Sequence, residues 1–164
     1  MMLNFAIRRW RRLAPVMVVF AALVASGCAE TARIGAAAIP PVPNGDARIW
    51  IYRSFDPSES LNVATVTING AVTGYAQPGG GAFYRDVPPG QYHVAVYSYG
   101  VDFNQSSNVD LAAGQVAYVK IETLNAWTTE GDRTTYQRDT FYARLIPPQL
   151  ARAEMAGSRY YGGG

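Results

Sequence analysis

The sequence predicts an all-β domain: an immunoglobulin-like or prealbumin-like antiparallel β-sandwich of about seven or eight strands, with a short C-terminal helix. Two observations lead there. Between positions 47 and 147, stretches rich in Val, Ile, Thr and aromatic residues recur roughly every ten residues. Turn residues separate them, among them Asn69-Gly70, Gly79-Gly80-Gly81, Pro88-Pro89-Gly90 and Ala113-Gly114. The whole stretch is roughly a hundred residues long, enough for one independent core.

The strands follow in order. "ARIWIYR" (47–53) is rich in β-branched and aromatic residues. "NVATVTING" (62–70) alternates, with Ala64, Val66 and Ile68 on one face and Val63, Thr65 and Thr67 on the other. Asn69-Gly70 tolerates positive φ at both positions and so predicts a hairpin to "AVTGYA" (71–76). A flexible Gly-rich loop (77–82) leads to "FYRDV" (83–87), and Pro89-Gly90 suits the centre of a type II turn. "YHVAVYSY" (92–99) is the most hydrophobic candidate and is expected to be central. "SNVDL" (107–111) and "VAYVKIET" (116–123) form another hairpin, and residues 125–139 read as a polar connection. "TFYARLI" (140–146) is the last strand, ended by Pro147-Pro148. "LARAEMA" (150–156) predicts a short helix, and the final glycine-rich residues are expected to be loose, so 148–164 reads as helix plus disordered tail.

Upstream of the domain lies an address. Arg8, Arg9, Arg11 and Arg12 precede an apolar run from Leu13 to Ala25, which is shorter than the roughly 20 residues a membrane span needs. Residues 1–27 therefore read as a signal peptide. Cys28, the single cysteine, follows Ala25-Ser26-Gly27 and resembles the lipobox of bacterial lipoproteins, with alanine where leucine is commoner. Acyl chains such as palmitate would then be carried on Cys28, and two or more chains anchor stably without a spanning helix. Competing readings are an ordinary signal peptide with an incidental cysteine, twin-arginine export, and a spanning anchor. With Ala29, rather than aspartate, after Cys28, the resemblance to bacterial lipoproteins implies, in a proteobacteria-like envelope, sorting to the outer membrane, facing the periplasm.

Residues 28–46, rich in Ala and Pro, read as the lipidated cysteine and an extended tether that lifts the domain from the membrane. The alternative is that this segment packs along the domain. Removing the signal also changes the charge: fourteen basic residues less the four before Leu13 leaves ten against twelve acidic, a net of −2. No run of basic residues argues for nucleic acid or anionic lipid. With Cys28 lipidated the mature chain has no thiol, which excludes disulfides and thiol redox chemistry.

The series "ARIWIYR", "VTINGAVTG", "GGAFYRDVPPGQYHVAV" and "LAAGQVAYVKIE" resembles the domain of unknown function 2846 family, small bacterial and often lipoprotein domains. The shared features are a strand ending in Tyr-Arg, then [DN]-G-x-x-x-G, then PPG-x-[YH], then a late strand after a glycine. A weaker resemblance links the chain to PEGA-type domains, although the Thr-Pro step usual there is missing. Neither resemblance implies catalytic residues.

No catalytic or metal-binding motif stands out. His93, the single histidine, has no neighbouring thiol or second imidazole, so it reads as a strand residue. Asp102, Asp110, Glu130 and Asp132 could pair as acids or hold calcium, but they lack an EF-hand pattern and read as solvated turn residues. Gly79-Gly80-Gly81 lacks the Gly-Lys-[Ser/Thr] ending of a phosphate loop.

The aromatic residues are the better candidates. Alternation in the strands cannot bury Trp50 and Tyr52 on the face that buries Ile49 and Ile51. Trp50, Tyr52, Tyr97, Tyr99, Tyr118 and Trp127, with Tyr142, are therefore the candidate binding face; the competing reading is that they cap the edges of the core and bond to backbone through their hydroxyls. The functional expectation is a non-enzymatic envelope lipoprotein acting as a tethered adaptor for other envelope proteins through a strand edge or that face. It would need no cofactor beyond the lipid and would bind no nucleic acid. The alternative is a module that binds peptidoglycan or polysaccharide, and an acid-dependent hydrolase is a distant third.

Overall fold

In a computed structural model, the structure describes residues 32–57, 60–98, 103–124, 127–130, 133–136 and 140–164. Leu124 and residues 127–130 and 133–136 are described by their backbone alone. Two sheets face each other. The first is five-stranded and contains β1 (Ala47–Arg53), β4 (Gly81–Val87), β7 (Val116–Leu124), β10 (Thr140–Leu145) and β11 (Tyr160–Gly163), in the order β10-β7-β1-β4-β11. The second is four-stranded and contains β2 (Ala64–Ile68), β3 (Ala71–Ala76), β5 (Gly90–Val96) and β6 (Ser107–Leu111), in the order β3-β2-β5-β6. The fold is the expected all-β sandwich. β5 lies inside its sheet, as its hydrophobicity predicts.

The core follows the alternation. Ile49 and Ile51 of β1, Val66 and Ile68 of β2, Phe83, Val94, Val119, Ile121 and Phe141 meet between the sheets. Arg53 closes one end of this layer. Its buried guanidinium donates to the carbonyls of Ser60 (2.5 Å) and Asn62 (2.8 Å), which ties the loop before β2 to the end of β1. The Tyr-Arg ending of the first strand thus has a structural role.

Several turns behave as predicted and others do not. Asn69 (φ 50°) and Gly70 (φ 82°) make a two-residue turn that pairs Ile68 with Ala71, the geometry of a type I′ hairpin. Gly90 has φ 158° and already pairs with Leu111, so Pro89-Gly90 is not the expected type II turn, which needs about +80° at the glycine. The bend is held instead by the Tyr92 hydroxyl, which donates to the Pro88 carbonyl at 2.5 Å. Residues expected as a polar connection contain a hairpin of β8 (Trp127–Glu130) and β9 (Arg133–Tyr136). Two strand pairs, β1 with β7 and β4 with β11, are parallel rather than antiparallel.

Both ends of the described chain depart from expectation. The helix, α1 (Pro148–Met155), starts with proline at its first turn, where the missing N–H costs nothing. The tail beyond it is not loose: Tyr160–Gly163 adds to β4 as an edge strand. The tether is not free from residue 32 onward either. Tyr160 N–H donates to the Ala32 carbonyl (2.7 Å), and Ile34 N–H donates to the Ser158 carbonyl (2.9 Å). Further along, Arg48 donates to the carbonyls of Pro40 (2.7 Å) and Pro41 (3.2 Å) while it forms a bidentate pair with Asp86 (2.6 and 2.8 Å). The hydrogen bond with Asp86 raises the Arg48 pKa against the cost of burial.

Candidate functional site

The expected aromatic face is largely covered. Trp50, Tyr52 and Tyr118 point away from the inter-sheet core, as their strand positions require, but all three are buried. Their cover consists of Ala151 and Met155 of α1, Tyr160, and Ile34 and Ile39 from the N-terminal segment. Trp50 meets Tyr84 edge-on with centroids 5.1 Å apart, and Tyr160 stacks on Tyr84 at 6.2 Å. Arg48 lies 3.8 Å from the Tyr84 ring centroid. The Tyr52 hydroxyl donates to Glu154 (2.9 Å), Lys120 also reaches Glu154 (3.1 Å), and Arg152 donates to the Tyr118 hydroxyl (3.0 Å). This is a second core rather than a binding face. Tyr142 is buried too, and Arg144 lies over its ring.

The exposed aromatic surface lies on the other sheet. Tyr97, one of the predicted residues, is 61% exposed. Its N–H donates to the Thr65 carbonyl (2.9 Å), and Thr65 pairs with Tyr75, itself 54% exposed. Tyr75, Thr65 and Tyr97 therefore form one row across β3, β2 and the end of β5, about 10 Å from ring to ring at the usual strand spacing. Val63 and Val72 add exposed apolar surface on the same face. Sequence alternation already placed Val63, Thr65 and Thr67 together on one face of β2; the structure turns that face outward, with Thr67 itself buried. Tyr75 was missed because β3 contains a bulge between its pairings with Val66 and Thr67, so simple alternation does not carry through it.

Toward the other end of the sheet, the same face becomes polar. Asn69, Gln91, His93, Asn108 and Asp110 line a shallow hollow of about 520 Å³. His93 Nδ1 lies 2.8 Å from Asn108 Oδ1, and the His93 backbone N–H donates to Asn69 Oδ1 (2.8 Å). His93 is thus a hydrogen-bonded strand residue on an exposed face. Among the described residues, no three His, Cys, Asp or Glu side chains converge.

Sheet edges differ in availability. β10 is knitted to the start of β6: Ser107 Oγ donates to the Ala143 carbonyl (2.9 Å), and Ala143 N–H donates to the Gln105 carbonyl (3.0 Å). β3 is the edge of its own sheet, but Arg85 reaches across to the Thr73 carbonyl at the bulge. A bulged and side-chain-capped edge is a poor template for strand addition, so the face is the better docking element. Cys28, Tyr99, Asp102 and Asp132 lie outside the described residues, and for Trp127 and Glu130 the backbone alone places them in β8.

A two-sheet β-sandwich with one outer face covered and the other open defines the class of this domain. Residues 43–132, 90 of the chain's 164, match the model of a family described as a protein of unknown function (DUF2846). The chain belongs to that family. The match does not show the PEGA-type likeness. No curated protein matches the chain.

The matched region includes the motif residues whose roles are visible here. Arg53 ties down the 60–62 loop, Asn69-Gly70 makes the hairpin, and Tyr92 holds the Pro88 bend. Gly74, the second glycine of the hairpin motif, lies under Phe83: a Cβ there would sit 2.5 Å from the Phe83 ring. The motif residues are thus accounted for by packing and turn geometry.

Proposed function

We propose that the protein is a non-enzymatic envelope lipoprotein, anchored through lipid on Cys28 in the outer membrane and facing the periplasm, that docks another envelope protein on the open face of its four-stranded sheet. The observation that carries this reading is the Tyr75-Thr65-Tyr97 row, its two rings exposed and its threonine half-buried, with exposed Val63 and Val72 beside it. Rigid tyrosines bury large area at low entropic cost, which suits them to partner contacts. The alternating apolar and hydroxyl groups would supply both contact area and orientation.

The test has two parts. Cys28→Ala should move the protein from the membrane fraction to the soluble one; retention in the membrane would refute the anchor. A photo-reactive side chain at position 63, on the same face and 48% exposed, should trap a reproducible envelope protein in living cells. Tyr75→Ala with Tyr97→Ala should abolish that capture and leave Tm within about 2 °C, because both residues are surface-exposed.

A second reading is favoured by the polar hollow around His93, Asn108 and Asp110, which adjoins the tyrosine-bearing face. Aromatic stacking beside several hydrogen-bonding groups is what a sugar chain requires. Recovery of sacculus or polysaccharide fragments, without a protein partner, would select it.

A further inference from the structure

We infer that the mature domain lies directly on the bilayer, with the end of the sandwich that carries Phe55, Leu61, Tyr161, Arg33 and Arg159 seated against anionic lipid headgroups. This inference rests on the proposed lipidation of Cys28. If the whole segment from Cys28 to Asp46 were free, it could extend about 60 Å. It is held instead from Ala32, whose carbonyl accepts from Tyr160, and it runs to Pro40 and Pro41 at Arg48. Four peptide units separate Cys28 from Ala32, a span of at most about 14 Å. That is less than the thickness of a β-sheet layer with its side chains plus a headgroup region, so the domain cannot stand away from the surface.

The same short stem determines which end faces the lipid. Arg159 is bridged to Arg33 beside Ala32, and its carbonyl accepts from Ala82 N–H (2.8 Å) at the Gly81 end of β4. Gly81 pairs with Arg53, so this is also the end of β1 from which Phe55 emerges. Phe55 packs on the adjacent turn: a Cβ on Gly80 would lie 2.8 Å from its amide nitrogen, and the Gly80 carbonyl accepts from the Tyr161 hydroxyl (3.2 Å). Leu61 lies between the two carbonyls that Arg53 holds.

Phe55 is 65% exposed and Leu61 79% exposed, Tyr161 and both arginines are exposed, and Asp56 adjoins Phe55. Apolar rings and a leucine flanked by arginines suit the headgroup boundary, where apolar groups enter and arginine meets phosphate. Arg33 and Arg159 are 126 positions apart, which is why no basic run marks the patch in the sequence.

The test uses the full mature protein in vesicles. Cys28 is the chain's single cysteine, so once it is acylated an introduced cysteine is the sole thiol. Fluorophores would be placed through Phe55→Cys, Leu61→Cys and, at the opposite end, Ala113→Cys, beside the Gly114 N–H that donates to the Asp46 carbonyl (2.7 Å). The seven-residue β1 separates these two ends by about 20 Å. In phosphatidylcholine mixed with phosphatidylglycerol, headgroup spin labels should quench positions 55 and 61 several-fold more than position 113. Arg33→Glu combined with Arg159→Glu should reduce that difference, and so should vesicles of phosphatidylcholine alone. Equal quenching at all three positions, with diacylglyceryl found on Cys28 by mass spectrometry, would overturn this inference and leave the anchor intact. An unmodified Cys28 would overturn the anchor and the seating together.

Discussion

Gly74 shows what a single missing side chain does in this fold. β3 approaches β4 closely enough for the Phe83 ring to occupy the space where a Cβ would stand, 2.5 Å from the nearest ring atom. Gly74→Val should therefore cost roughly 1–3 kcal/mol through overpacking, read as a lower urea midpoint at unchanged m-value. Phe83→Leu in the same chain should recover part of that loss, because it frees the contested volume. Strict additivity of the two changes would show that they do not share the contact. Gly70 is constrained differently: at φ 82° a Cβ would meet nothing within 4 Å, so Gly70→Val would be opposed by backbone strain rather than by a clash.

At the scale of elements, the C-terminal strand and the N-terminal segment form one cover. Each holds the other through the Tyr160–Ala32 and Ile34–Ser158 hydrogen bonds, and together with α1 they bury Trp50 and Tyr84. Deleting residues 158–164 should uncover both rings, lower stability by about 3 kcal/mol and raise binding of a hydrophobic dye. Amide exchange should accelerate at Ile34, which loses its acceptor, while Ile49 and Ile51 stay protected in the inter-sheet core. Unchanged exchange at Ile34 would mean that the segment docks without the tail. The deletion would also lengthen the free stem, so it should weaken the quenching contrast between positions 55 and 113.

For the whole molecule, buried Tyr52 and half-buried Tyr160 set a response to alkaline pH. Burial, then the hydrogen bond with Tyr84, pushes the Tyr160 pKa up to about 12 from 10.0. Burial, then the hydrogen bond to Glu154, raises Tyr52 further. The folded chain keeps these protons at pH values where the unfolded chain gives them up, so the contribution is complete below about pH 10 and is lost as pH rises through about 12. Thermal unfolding followed across that window should show a falling Tm, with a shallower fall in Tyr52→Phe. A flat profile would contradict the burial of Tyr52 and the partial burial of Tyr160. The tyrosine row of the open sheet also lies toward the Arg53 end, since the loop before β2 is tied there, so under the proposed seating a docked partner would meet the domain close to the membrane.

The sequence by itself determined the strands of the inter-sheet core and the hairpin at Asn69-Gly70, because alternation and turn chemistry are local and act within a few residues. It also contained the family pattern from "ARIWIYR" to "AYVKIE". Only the tertiary structure decided which aromatic rings are covered. Trp50, Tyr52 and Tyr118 read as a free face because strand periodicity describes two sides of a sheet and does not reveal a third layer. That layer is built from α1, a helix legible in the sequence although its docking was not, and from Tyr160–Gly163 and residues 34–39, which are too glycine-, alanine- or proline-rich to signal order locally. Their order comes from packing on a sheet that is already formed, and long-range burial of this kind leaves no local period in the sequence.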